Sequence, residues 1–117
     1  MGSAMSLLIE VPLFNVGKVE FITSYAEAQQ RVLDLGLTYS VHDSLGFVEY
    51  TALGSDGVLL LCVFDGKVTT LAHEVFHAAV RYLAYVGVPL VPDAANETHA
   101  YLIEYLMDKT LPCLGVA

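Results

Sequence analysis

The chain has 117 residues, 56% of them hydrophobic and 15% charged, with a formal net charge of −8 at pH 7. That is enough apolar material for the core of one domain, and more than a small domain hides easily, so a self-associating face (a homodimer) or a partner face is expected. The acidic balance repels phosphate backbones and argues against nucleic acid, while it suits a metal cation or a basic peptide.

Residues 1–5 read as a cloning remnant, with Met5 a native start, and no leader pattern follows, which points to a cytoplasmic protein. Residues 7–14 read as a strand interrupted by Pro12, which favours an edge or a strand end. Val16 to Ile22 extends or repeats it. Thr23 or Ser24 then caps a helix, with Glu27 completing a capping-box pattern, and the helix runs to about Leu35 before Gly36. Residues 37–43 are a connector or short strand. Phe47 to Leu53 alternates, residues 54–57 signal a turn, and Val58 to Phe64 is a nearly continuous apolar strand, so the pair reads as a hairpin. Cys62 falls in that strand as a small core residue. With Cys113 as the second cysteine, the chain has too few for a disulfide framework.

After a turn at 65–67, Thr69 or Thr70 caps a helix that continues to about Tyr85 and stops at Gly87. Pro89 and Pro92 keep the next connection extended. A last helix starts between Asp93 and Glu97 and ends near Lys109, and Pro112 and Gly115 mark a loose tail. The longest stretch without Asp, Glu, Lys or Arg is the eleven residues 82–92, short of the ~18 of a membrane helix, so no membrane partner is expected. The fold class is α+β over residues 1–117 as one domain: a small, mostly antiparallel twisted sheet of three to four strands on about three helices.

The chemistry concentrates in Leu71-Ala72-His73-Glu74-Val75-Phe76-His77-Ala78. Positions i and i+4 lie one above the other on a helix, so His73 and His77 can aim two imidazoles at one point, as a tetrahedral Zn²⁺ requires. Glu74 lies roughly 100° further round the helix, within reach of a water at that point, the place of a general base. A tetrahedral site needs a third ligand, and Glu97, twenty residues after His77 in Asn96-Glu97-Thr98-His99-Ala100, offers one.

These residues resemble the signature of the gluzincin metallopeptidases, HExxH followed by a helix carrying Asn-Glu-x-x-Ala. The match is His73, Glu74, His77, Asn96, Glu97 and Ala100, over residues 69–106. The size is similar to the single-domain minigluzincins, and Ala100-Tyr101-Leu102 looks like a segment of short phage-encoded HExxH proteins. The resemblance implies a minimal zincin-like scaffold. It also implies zinc held by His73, His77 and Glu97, and peptide hydrolysis by activated water with Glu74 as base. Such enzymes commonly use a Tyr or His outside the motif for the oxyanion. Tyr101, Tyr105, Tyr82, His99 and His42 are candidates here, and none has a deciding spacing. Glu104, seven residues after Glu97, shares its helix face and could orient a ligand histidine. Where thermolysin-type enzymes place an Asp, this chain has Tyr101.

Bland readings stand beside these. Glu97 can be a helix-start acid, Glu104 and His99 solvated residues, His42 a loop histidine, and the tyrosines packing groups. Two functions follow: a small zinc metallopeptidase acting on a peptide or protein, or a phage-type interaction or anti-defence protein that keeps the metal site without proteolysis.

Overall fold

A computed structural model describes residues 6–12 and 14–114. The expected remnant at 1–5, Leu13, and the tail beyond Leu114 lie outside them. The elements run β1 (Ser6–Glu10), β2 (Lys18–Ile22), α1 (Tyr25–Asp34), β3 (Gly46–Glu49), β4 (Val58–Val63), α2 (Val68–Tyr85) and α3 (Glu97–Thr110), with short 3₁₀ turns at Thr51–Gly54 and Leu111–Cys113.

The fold is α+β, with three helices on one four-stranded sheet of order β1-β2-β4-β3. The expected antiparallel pairing holds for β1 with β2 and for β3 with β4, but β2 and β4 run parallel, so the sheet is mixed. A parallel pair needs a long crossover; here α1 and β3 both fall between its two strands. β4 sits inside the sheet with helices on both faces, which is why its sequence is apolar without alternation. Leu60 and Cys62 face α1, where they pack with Ile22, Ala28, Val32 and Val41. Leu59, Leu61 and Val63 face the other way, against Leu71, Val75 and Ala79 of α2 and Leu102 and Leu106 of α3. No helix among the described residues is long and apolar enough to cross a membrane.

Local chemistry sets the element ends. Ser24 caps α1, accepting from the Glu27 amide at 3.3 Å, and Gly36 leaves the helix at φ +82°. The strand expected over 47–53 stops at Glu49. The Glu49 carboxylate accepts from the Thr51 amide at 2.7 Å and from the Thr51 hydroxyl, and the chain turns into a 3₁₀ segment there. The cap expected at Thr69 or Thr70 is also corrected. α2 begins at Val68, and Asp65 anchors its start, accepting from the Lys67 amide at 3.0 Å and from the Thr70 hydroxyl at 2.6 Å. A carboxylate suits the positive end of a helix better than a hydroxyl does.

Candidate active site

β3 is an edge strand, antiparallel to β4, and α2 passes close beneath it. Gly46 makes that approach feasible. A Cβ there would lie 2.7 Å from the Cys62 carbonyl oxygen and 3.2 Å from both Glu74 Cγ and Thr70 Cγ2. Two adjoining hollows of about 390 and 260 Å³ follow the line between strand and helix. Gly46, Phe47, Val48 and Tyr50 form the strand wall; His73, Glu74, His77 and Arg81 form the helix wall. The α2 spacing explains the second set: residues 73, 77 and 81 recur every four positions and share one face.

His73 Nε2 and His77 Nε2 stand 3.3 Å apart, with ring centroids 4.8 Å apart and ring planes at 77°. Two nitrogens bound at tetrahedral angle to one zinc ion, each about 2.1 Å from it, lie about 3.4 Å apart. The same separation also allows one ring to donate a hydrogen bond to the other. Both rings are exposed, whereas Glu74 beside them is buried, at 8% exposure. Burial pushes the Glu74 carboxyl above its ordinary range, and the neighbouring His73 and His77 only partly offset it. A carboxylate with a raised pKa is a better proton acceptor near neutral pH.

The third expected ligand is not brought to this pair. Among the described residues no group of three His, Cys, Asp or Glu is close enough to hold a metal ion. The packing shows why. α2 continues from His77 to Tyr85, a further ~12 Å at 1.5 Å per residue, before the chain turns back. α3 then buries His99, Leu102, Leu106 and Thr110, and leaves Glu97, Tyr101, Glu104 and Asp108 on its exposed side. Asn96, at φ +53°, does not cap α3 with its side chain. Its amide instead ties down the preceding loop, accepting from Val91 N and donating to Val91 O, both at 2.9 Å, and to Ala94 O at 3.0 Å.

The other expected helpers are also elsewhere. Tyr105 donates to Glu10 O at 3.0 Å and Tyr82 donates to Val16 O, so both hydroxyls serve the fold. His42 stacks on Tyr25 of α1, ring centroids 5.3 Å apart. Tyr101 is 68% exposed and borders a small apolar hollow with Val11, Pro12 and Phe14. Glu104 is exposed on α3, with no hydrogen bond to either histidine among the described residues. His99 is buried at 3% exposure, and neither ring nitrogen has a hydrogen-bond partner among the described residues.

The sequence reading missed Arg81 and Tyr50. The Arg81 guanidinium carbon lies 4.5 Å from the centre of the Tyr50 ring, at the end of the groove beyond His77. Its place four residues after His77 was a readable signal; the strand side of the contact was not.

No family model, curated protein or solved structure matches this chain.

Proposed function

We propose that the chain is a small zinc-dependent metallopeptidase of zincin-like build, with its cleft between edge strand β3 and helix α2. The observation that carries this reading is the 3.3 Å approach of the His73 and His77 nitrogens, with buried Glu74 next to them in the same groove. His73 and His77 would hold the metal, and Glu97 of α3 is the proposed third ligand. Zinc held there would supply a Lewis acid and an acidified water. Glu74 would accept the proton of the attacking water and pass it to the leaving amine. The free edge of β3 offers main-chain hydrogen bonds to an extended peptide, laying it along the groove as an added strand. Gly46 keeps strand and helix close enough for that peptide to meet Glu74.

Replacing Glu74 with Gln keeps the shape and removes the base. Zinc uptake should be unchanged while peptide hydrolysis falls by about 10²-fold or more. Hydrolysis at the wild-type rate in Glu74→Gln would overturn the assignment.

A second reading, a partner-binding protein without proteolysis, is favoured by apolar side chains exposed beside the groove, Leu45 at 63% and Phe76 at 44%. It predicts that zinc-loaded wild-type protein cleaves no peptide.

A further inference from the structure

The chain has five Lys and Arg residues against thirteen acids. Arg31 pairs with Glu20 at 2.9 Å, the one ion pair among the described residues, so Arg81, like the three lysines, has no carboxylate partner among them. It stacks over Tyr50 and lines the same groove as His73, Glu74 and His77. Stacking on a ring face restrains the guanidinium and leaves its N–H edge free for a planar anion.

We infer that Arg81 is a specificity residue of the cleft, binding a carboxylate on the peptide that lies along β3. This rests on the proposed peptidase cleft, and adds the chemical class of what enters it. A carboxylate matches the fork of an Arg with two parallel hydrogen bonds, which a neutral amide cannot reproduce. The spacing fixes where that group sits. Arg81 is one helical turn past His77, about 6 Å along the axis, or about two residues of extended peptide. Glu74 lies seven residues before Arg81, about 10 Å along the axis, so the carboxylate stands about three residues of extended peptide from the bond that faces Glu74. A free C-terminus and an Asp or Glu side chain supply the same chemistry at that place.

The two sources are separated by three N-acetylated hexapeptides of alanine and leucine. One has a free C-terminus, one is its C-terminal amide, and one is the amide with a single internal aspartate. Each is titrated calorimetrically into the Glu74→Gln protein, with and without zinc. The same titrations are repeated with Arg81→Gln and Arg81→Lys added. One or both carboxylate peptides should bind about tenfold tighter than the plain amide. Arg81→Gln should abolish the preference, and Arg81→Lys should keep part of it. Preference for the free C-terminus alone assigns the site to chain ends; preference for the aspartate peptide alone assigns it to acidic side chains. Equal binding of all three peptides, no binding of any, or an undiminished preference in Arg81→Gln would overturn the inference. If zinc fails to bind and the wild-type chain cleaves nothing, yet the Arg81-dependent preference remains, the inference stands and the peptidase reading falls.

Discussion

Glu49 shows how much one side chain can organise next to the cleft. It is buried at 8% exposure and ends strand β3, where its two oxygens take hydrogen bonds from Tyr39, from the Thr51 hydroxyl and from the Thr51 amide. Burial alone would raise its pKa. The bonds from Thr51 and Tyr39 outweigh burial and hold it below the ordinary carboxylate value, and the same Glu49 charge, added to burial, pushes the Tyr39 phenol up. The consequence for stability has a definite sign. A folded pKa below the unfolded one adds stability that is present above the unfolded pKa of about 4.3 and is lost as pH falls through the folded value. Glu49→Gln should therefore cost about 1–2 kcal/mol in urea unfolding at pH 7. The gap between wild type and variant should close as the pH is taken below about 4. A gap that is constant with pH would mean that shape, rather than charge, is what Glu49 supplies.

At the scale of elements, the site exists because β3 and α2 touch, and Gly46 is the position that lets them. Its backbone is not in the left-handed region, so the demand is for space: a methyl group would meet the Cys62 carbonyl oxygen and Glu74 Cγ together. Gly46→Ala should lower stability by about 1–3 kcal/mol, as overpacking does, and should cut the proposed peptide hydrolysis by moving Glu74 relative to the edge strand. Gly54→Ala is the control, since a Cβ there meets nothing within 4 Å; it should leave the urea midpoint and hydrolysis rate nearly unchanged. Equal effects at the two glycines would show that close approach at Gly46 does not matter. The sequence makes some of these elements readable and hides others. β4 is legible because burial on both faces leaves an unbroken apolar run, and the His73–His77 pair is legible because helical spacing alone brings the rings together. The parallel pairing of β2 with β4, the edge position of β3 and the contact of Tyr50 with Arg81 join residues far apart in the chain, and no local pattern reports them. The start of α2 was misread for a smaller reason: Thr69 and Thr70 look like caps, but Asp65 reaches the same helix end first.

Across the whole molecule the unresolved tension lies between α2 and α3. The imidazole pair is in place, but Glu97 is on the exposed side of α3. The first turn of α3 also carries a cost, because His99 is buried there with both ring nitrogens unpartnered among the described residues. An unmet buried group of that kind costs about 1–3 kcal/mol, so this turn has something to gain from a different seating. Zinc at the proposed site would add the incentive: a ligand that binds only the folded protein, at a hundred times its dissociation constant, stabilises it by about 2.7 kcal/mol. For a chain of this length that is a melting-temperature rise on the order of 10 °C. Differential scanning calorimetry with and without zinc should show the rise in wild type and lose it in His73→Ala and in His77→Ala. Glu97→Ala should lose most of the rise, while Glu104→Ala, on the same exposed face of α3, should keep it. Calorimetry separates these outcomes without any need for a substrate. A full zinc-dependent rise in Glu97→Ala would mean that the metal is held by α2 with water or another donor and that α3 stays as it is. The likeness of Asn96, Glu97 and Ala100 to a glutamate helix would then be coincidence, and the cleft along β3 would have to work with two protein ligands.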